Sequence, residues 1–289
     1  MGAVQAMKTR VAVVALLLAG GAGVVVRSQP PTFSSRVDAV RVDVLVTDSR
    51  GPVRGLGPGD FEIRDNGVLQ QVDLVSFDQI PLNVVLSLDM SASVAGDRLD
   101  RLRSAGAAIL SNLKPGDQAA LVTFSHVVRL AAGMSTDIAS ARTALMRATG
   151  DGATSLTDGV YTGIVAGQAD AGRELLVVFS DGLDTASWLP ANRVLDVAKR
   201  SDVVAYAVAV RSPAKPEFLR ELTSFTGGRL FEVEKTENLD AVFVGILEEF
   251  RQRYLVSYTP RGVPREGWHK LDVRVKRGGT VKARPGYQS

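Results

Sequence analysis

Apolar and polar residues alternate near the N-terminal end of the chain. Valine occupies every second position from Val40 to Val46, within residues 39–47. This period of two predicts a half-buried β-strand whose other face carries Arg41 and Asp43. Phe61 and Ile63 lie in a second run of this kind, which gives the N-terminal region a repeated strand signal.

A hairpin is predicted directly after the second strand. Asp65-Asn66-Gly67 is a strong signal for a tight turn, and residues 68–77 return as a third strand. Residues 51–59, between the first two strands, are too rich in Gly and Pro for regular structure. These segments together predict a small antiparallel β unit.

From residue 82 the pattern changes to short apolar runs separated by segments of helical periodicity. Such runs are typical of parallel strands that are buried on both faces. The predicted strands are residues 83–89, 119–124, 175–180 and 203–210, and the predicted helices are residues 98–113, 137–147, 156–169, 192–199 and 217–225. Residues 127–130 are predicted to form a short hairpin partner of the second strand. The alternation of strands and helices predicts an α/β fold with a doubly wound, mostly parallel sheet.

The C-terminal part returns to β structure after one further helix. Apolar residues spaced by three and four between Leu239 and Phe250 predict a helix that packs on the sheet. Residues 254–258 and 271–275 alternate again. Because a sheet of two or three strands is marginally stable alone, we expect these strands to join the N-terminal ones in a small β subdomain. The predicted organisation is residues 1–35 as leader and linker, 36–80 as N-terminal β subdomain, 81–252 as α/β domain and 253–289 as C-terminal strands.

The first 27 residues have the features of a targeting segment. Lys8 and Arg10 precede an apolar run, Val11–Val26, which is short for a spanning helix of about 20 residues and long for a signal-peptide core. The run includes the small residues Ala19–Gly23, which signal peptidase accepts. A cleaved signal peptide and a retained membrane anchor therefore both stay open. Either one predicts an exported protein that is periplasmic, extracellular or anchored to the membrane.

Composition narrows the classes of function. The chain has 289 residues, no Cys and two His, which excludes disulfide frameworks, thiol nucleophiles and cysteine zinc sites. The formal charge of +3 comes from the leader, because residues 1–27 hold three of the 34 basic residues and no acid. The remainder is formally neutral, so we expect no nucleic-acid partner.

Carboxylates and hydroxyls follow the ends of predicted strands. Asp89, Ser91 and Ser93 come after the first central strand, Thr154 precedes a helix, and Asp181 ends a later strand. In an open α/β sheet, ligands bind beyond the carboxyl ends of the strands, where the strand order reverses. An oxygen-rich set of this kind suits Mg²⁺. Because few of the ligands are charged, the ion would stay electrophilic and attract an acidic side chain from another molecule.

Asp89-x-Ser91-x-Ser93, Thr154 and Asp181 resemble, in order and context, the metal-ion-dependent adhesion site of a von Willebrand factor type A domain. The resemblance covers residues 82–250 and implies a Rossmann-like fold. It also implies that Ser91, Ser93 and Thr154 bind Mg²⁺ or Mn²⁺ directly, while Asp89 and Asp181 bind it directly or through water. The implied function is noncatalytic adhesion or scaffolding, in which the metal holds an Asp or Glu of a protein partner.

The segments on both sides of the α/β domain are also similar to a known group. Residues 46–67 (VTDSRGPVRGLGPGDFEIRDNG) and 267–287 (GWHKLDVRVKRGGTVKARPGY) resemble bacterial exported proteins related to type A domains. This similarity supports the fold and the compartment but implies no ligand. Ala153 departs from the family, which often has Gly before the threonine.

Other functions stay open alongside the adhesion hypothesis. The type A fold could bind partners independently of metal, through the β subdomain or the segment around Trp188. A haloacid dehalogenase-like phosphatase would use Asp89 as nucleophile, but Ser91 stands where that family has a second Asp.

Individual residues also have structural interpretations. Asp89 and Ser93 could cap the following helix, and Asp158 and Asp184 are expected to cap or turn the chain. His126 is interpreted as a loop or edge-strand residue rather than part of a catalytic triad. Trp188 is expected to pack on the protein.

Overall fold

Strands from the two ends of the chain share one β layer, and the middle of the chain builds an α/β layer. The computed structural model describes residues 39–168, 172–180, 183–211 and 215–289; the predicted leader lies outside them. The elements are β1 (Val40–Asp48), β2 (Gly51–Pro52), β3 (Phe61–Asp65), β4 (Val68–Gln70), β5 (Val72–Phe77), β6 (Leu82–Asp89), α1 (Asp97–Ser111), β7 (Gln118–Phe124), β8 (Val128–Ser135), α2 (Ile138–Arg147), α3 (Leu156–Gly167), β9 (Arg173–Ser180), α4 (Ala191–Arg200), β10 (Val204–Val210), α5 (Glu217–Thr226), β11 (Leu230–Val233), α6 (Leu239–Arg251), β12 (Tyr254–Tyr258), β13 (Trp268–Val275), β14 (Thr280–Lys282) and β15 (Gly286–Gln288).

The β layer consists of two antiparallel sheets that pack on one core. One sheet has the order β14-β1-β12-β5, with β2 paired to β1, and the other has the order β15-β13-β3-β4. Side chains from both sheets, such as Val42, Tyr254, Ile63 and Leu271, are buried together. The predicted β subdomain of N- and C-terminal strands is therefore confirmed, while the domain boundaries drawn from the sequence stay a prediction.

Two details of the β layer differ from the predictions. The expected strand over residues 68–77 is two strands in different sheets, since β4 pairs with β3 and β5 pairs with β12. The predicted turn before it is present, with Asn66 at φ 48° and Gly67 at φ 84°. β1 is not half-buried, because Asp43 and Leu45 on its second face are also buried.

The middle of the chain forms a six-stranded sheet in the order β11-β10-β9-β6-β7-β8. All of its neighbouring strands are parallel except β8, which pairs antiparallel with β7 as predicted. Helices α1, α2 and α6 pack on one face, and α3, α4 and α5 pack on the other. The predicted doubly wound α/β fold is confirmed.

The bounds of most predicted elements in this layer agree with the observed ones within two residues. β8 is longer than predicted, and β11 was not predicted. In the β layer, β14 and β15 were not predicted either, and β2 lies in residues 51–59, which were expected to lack regular structure. Among the described residues, the structure contains no helix with the length and apolar character that crossing a membrane requires.

A buried ion pair joins the two layers. The Arg173 guanidinium, at the start of β9, contacts Asp43 of β1 through Nε at 2.8 Å and through one terminal nitrogen. Its Cζ also lies 4.7 Å from the centre of the Phe250 ring on α6. The pair explains how the second face of β1 can be buried, because the Asp43 carboxylate on that face is paired with a cation, Arg173, of the neighbouring layer.

Two further buried arginines lie at the same junction. Arg253, between α6 and β12, donates to the hydroxyl of Tyr206 at 3.0 Å and to the carbonyl of Gly227 at 2.8 Å. Burial raises the pKa of the Tyr206 phenol, despite the nearby Arg253 charge. Arg284 donates to the carbonyl of Ser201 at 2.6 Å, just after α4. Arg253 and Arg284 thus both donate to groups of the α/β layer, and Arg284 also donates through Nε to the carbonyl of Gly286 in its own layer at 2.8 Å.

Asp65 is the centre of a buried polar cluster in the β layer. One carboxylate oxygen contacts His269 Nδ1 at 2.8 Å, and the other accepts hydrogen bonds from the hydroxyls of Tyr258 and Tyr287, each at 2.9 Å. Burial is the largest cause that raises the pKa of both phenols. The cluster links β3, β12, β13 and β15, and therefore holds the two sheets together.

Candidate metal site

The candidate site lies where the strand order of the central sheet reverses. β6 and β9 are neighbours there, although β6 continues to α1 on one face and β9 follows α3 on the other. Such a reversal leaves a crevice beyond the carboxyl ends of the two strands. Of the predicted residues, Asp89 is the last residue of β6, and Ser91 and Ser93 follow it at this edge.

Asp89 and the two serines form a compact group. Asp89 is fully buried, and its two carboxylate oxygens accept from Ser91 N–H and from the Ser180 hydroxyl, both at 2.8 Å. The hydroxyl oxygens of Ser91 and Ser93 lie 3.0 Å apart. Ser91 is buried while Ser93 is exposed. The group therefore has a buried, hydrogen-bonded carboxylate, a buried serine and one serine, Ser93, at the surface.

Backbone hydrogen bonds connect the Thr154 loop to this group. Ala92 N–H donates to the carbonyl of Gly152 at 3.0 Å, and Asp151 N–H donates to the carbonyl of Met90 at 2.8 Å. Thr154 itself is 6% exposed. The loop that carries the predicted threonine ligand is thus held directly against the loop that carries the serines.

Gly152 has a conformation and a position that favour glycine. Its φ is +78°, and a Cβ atom at this residue would overlap the imidazole of His126. His126 is exposed in the turn between β7 and β8, which agrees with its interpretation as a loop residue. The carbonyl of the preceding Ser125 accepts from Ser155 N–H at 2.8 Å. The turn after β7 is therefore also hydrogen-bonded to the Thr154 loop.

Asp181, the fifth predicted ligand, lies outside the described residues. The residue before it, Ser180, is buried and bonded to Asp89, so β9 ends next to the base of the site. The contribution of Ser180 was missed by the sequence analysis. Its signal was its position directly before Asp181, at the end of a buried strand.

A loop after β9, residues 183–189, continues the site; we call it the Trp188 loop. The carbonyl of Thr154 accepts from Thr185 N–H at 2.9 Å and from Ala186 N–H at 3.0 Å, and Thr154 N–H donates to the Thr185 hydroxyl at 3.0 Å. Trp188 is 94% exposed. The expectation that Trp188 packs on the protein is wrong, because the loop holds its backbone and directs its side chain into solvent.

The two aspartates beside this loop cap and turn the chain, as predicted. The Asp184 carboxylate accepts from Thr157 N–H in the first turn of α3 at 3.0 Å, and Asp158 accepts from Leu189 N–H at 2.9 Å. By contrast, capping of α1 by Asp89 or Ser93 is wrong. That helix begins at Asp97 with Gly96 as its N-cap.

The chain is similar to several known proteins. It is 25% identical over 169 residues to inter-alpha-trypsin inhibitor heavy chain H2 of Sus scrofa. The aligned region covers 53% of this chain and 18% of that protein. The match therefore spans less than a fifth of the relative's length. Among solved structures, a von Willebrand factor type A protein from Catenulispora acidiphila is 11% identical, with a TM-score of 0.52, and covers 87% of this chain and 73% of that chain.

A second solved structure has a similar fold. It is proximal thread matrix protein 1 of the mussel byssus, whose metal-ion-dependent adhesion site (MIDAS) motif is occupied by zinc. It is 15% identical with a TM-score of 0.55, and the aligned region covers 64% of this chain and 49% of that chain. The model of the von Willebrand factor type A domain matches residues 83–244, which is more than half of the sequence. By this match and by its fold, the chain belongs to the von Willebrand factor type A family.

Proposed function

We propose that this protein binds a divalent cation, Mg²⁺ or Mn²⁺, and uses it to hold an acidic side chain of a protein partner. The ligands are Ser91, Ser93 and Thr154, with Asp89 and Asp181 binding directly or through water. The observation that carries the proposal is the pair of serine hydroxyls 3.0 Å apart above a buried carboxylate. Carboxylate and hydroxyl oxygens are suitable ligands for such hard cations.

The charge of the ligand set favours binding of an acidic group. Three of the five proposed ligands are neutral hydroxyls, so two carboxylates at most balance the two positive charges of the ion within the protein. A carboxylate from a partner would complete the coordination shell in a partly desolvated site, where charge–charge attraction is stronger than in water. This role is noncatalytic: the metal joins two proteins and transforms neither.

We propose that this binding takes place outside the cytoplasm. The support is the basic, then apolar, leader of residues 8–26. The leader would be removed after export or would retain the protein at the membrane. In both cases residues 36–80 and 253–289 would form the β subdomain, and residues 81–252 the type A domain.

Metal binding and partner capture are tested together with matched variants of the full chain. Thr154→Ala and Asp181→Ala should each lower Mn²⁺ affinity by at least about tenfold, because ligands and the groups that orient them have effects of this size or larger. Thr143→Ala is the control, since its hydroxyl is exposed and bonds only to its own helix at Ala139. Mn²⁺ binding is measured by the electron paramagnetic resonance signal of the free ion.

The same variants are then used to capture proteins from the native cell envelope in Mg²⁺ and in chelator. We expect capture by wild type and Thr143→Ala in Mg²⁺ alone. Capture that survives chelator and Asp181→Ala would contradict the proposal. It would instead favour metal-independent binding, for which the exposed Trp188 is the specific observation.

A further inference from the structure

The Trp188 loop presents a large apolar side chain on a backbone that is held on both sides. Trp188 N–H donates to Asp158 at 2.9 Å, and the carbonyl of Leu189 accepts from the Thr157 hydroxyl at 2.6 Å. Ser187 N–H donates to Asp184 at 3.1 Å. Because these bonds order the loop before a partner arrives, binding at Trp188 requires little further loss of conformational entropy.

The exposed residues of this loop are Leu183, Asp184, Thr185 and Trp188, so Trp188 stands beside one carboxylate. Asp158 and Asp184 each accept backbone N–H donors of the loop and of α3, so their charges already have local partners. Its exposed large apolar side chains are Trp188, 94% exposed, and Leu183, 53% exposed. Exposed tryptophans on ordered backbone are typical of residues that contribute most of the binding energy of an interface. Trp188 therefore offers apolar contact to a partner.

The loop lies close to the metal-site threonine. Ala186 N–H donates to the carbonyl of Thr154 at 3.0 Å. Trp188 is two residues further along, so its Cα lies at most about 8 Å from that of Ala186, at 3.8 Å per residue. A partner segment in extended conformation advances about 3.3 Å per residue. One extended segment can therefore reach both the metal and Trp188 when its two contacting residues are two to four positions apart.

We propose that the Trp188 loop is a second contact of the metal site, and that it selects an extended partner segment with an apolar side chain two to four residues from the acidic one. This inference rests on the proposed function, since the acidic residue is the one held by the metal. Trp188 then determines specificity, because the metal selects for a carboxylate and the indole selects for an apolar residue near that carboxylate in the partner sequence.

The test is an array of immobilised synthetic peptides made of Gly and Ser, each with one Asp and one Leu. The Leu lies one to six residues from the Asp on either side, and matched peptides have Asn in place of Asp or Ser in place of Leu. Full-length wild type should bind Asp–Leu peptides with the predicted spacing about tenfold more tightly than Asp–Ser peptides in Mg²⁺. Trp188→Ser should remove this preference and keep the weaker binding that depends on Asp. Leu130→Ser, which removes a 54% exposed apolar side chain from β8, should change neither.

The outcomes separate the two proposals. If Trp188→Ser keeps the preference for Leu, or if wild type has no preference at any spacing, the role of the loop is overturned. If binding is equal for Asp and Asn peptides, or is unchanged by chelator and by Thr154→Ala, the metal-dependent function fails instead.

A second measurement follows the indole directly. The chain has two tryptophans, so Trp268→Phe leaves Trp188 as the sole source of tryptophan fluorescence. Titration with the tightest soluble Asp–Leu peptide in Mg²⁺ should shift the emission to shorter wavelength, because the indole leaves water. The Asp–Ser peptide should cause no shift. Tight binding without a shift would overturn the contact with Trp188.

Discussion

The ion pair between Asp43 and Arg173 provides the sharpest test of how the two layers are joined. Both side chains are almost completely buried, at 7% and 2% exposure. Asp43→Ala would leave the Arg173 guanidinium inside the protein without its carboxylate. Breaking a buried pair in this way costs about 3–5 kcal/mol. We expect a value near 3 kcal/mol, since Arg173 would keep its contact with the carbonyl of Phe250 at 3.3 Å and with the ring of the same residue.

The loss should be recovered when both charges are removed. Replacing a buried ion pair by apolar residues is often neutral or stabilising, so Asp43→Ala with Arg173→Met should be more stable than Asp43→Ala alone. The assay is urea unfolding followed by far-UV circular dichroism, analysed as a double-mutant cycle. A loss of 3 kcal/mol would lower the urea midpoint by about 1 M or more, given slopes of about 1–3 kcal/mol per molar.

Asp48→Asn is the matched control on the same strand. Asp48 pairs with Arg50 at the surface, and we expect no resolvable change in the midpoint. A cost below 1 kcal/mol for Asp43→Ala, or a double variant less stable than Asp43→Ala, would refute the view that this pair is a buried link whose carboxylate compensates a trapped cation.

Three further predictions concern the site loop, the metal and pH. Gly152→Ala should weaken Mn²⁺ binding and lower the free energy of unfolding by about 1–2 kcal/mol or more, because an L-residue at φ +78° is strained and its Cβ overlaps His126. Adding His126→Ala should restore part of the Mn²⁺ affinity and part of the stability. A Gly152→Ala variant with the affinity and stability of wild type would contradict the geometry. Mg²⁺ at 100 times the dissociation constant of wild type should stabilise wild type by about 2.7 kcal/mol in thermal unfolding, and it should stabilise Thr154→Ala by about 1.4 kcal/mol or less if that variant binds at least tenfold more weakly. Equal shifts would contradict the ligand set. The pKa of the phenols of Tyr206, Tyr258 and Tyr287 is raised in the folded state. As pH rises above 10, the unfolded chain releases these protons while the folded state keeps them, so stability should fall by up to about 1.4 kcal/mol per pH unit for each phenol. A urea midpoint that is constant between pH 9 and 11 would contradict this.

Periodicity predicted the fold because each layer buries a regular pattern. The continuous apolar runs of β6 and β9 are those of strands covered by helices on both faces, and the sequence contains that information locally. The division of residues 68–77 into two strands was not predictable in this way. β4 continues the local hairpin with β3, whereas β5, beyond Gln71, pairs with β12, which is distant in sequence.

The ligand roles of the candidate site residues stay a prediction, but the position of Asp89, Ser91 and Ser93 at the end of a strand could be predicted from the sequence. The motif gave Asp89, Ser91, Ser93 and Thr154, whose loops are hydrogen-bonded to one another in the structure. Trp188 was misinterpreted because apolar character alone predicts burial. Its exposure results from backbone bonds to Asp158 and Thr154, which are distant in sequence and carry no local signal.

The pairing of β1 determines how the protein would carry mechanical load. The chain passes from β5 through only four residues, 78–81, into β6, which ends at the candidate metal site. A partner that pulls on the site while the N-terminal segment is tethered would apply tension across the β layer. β1 is hydrogen-bonded to β12 along its first half and to β14 along its second. Extracting β1 requires breaking both sets of hydrogen bonds, so the β layer would resist unfolding under force applied between the N-terminal tether and the bound partner.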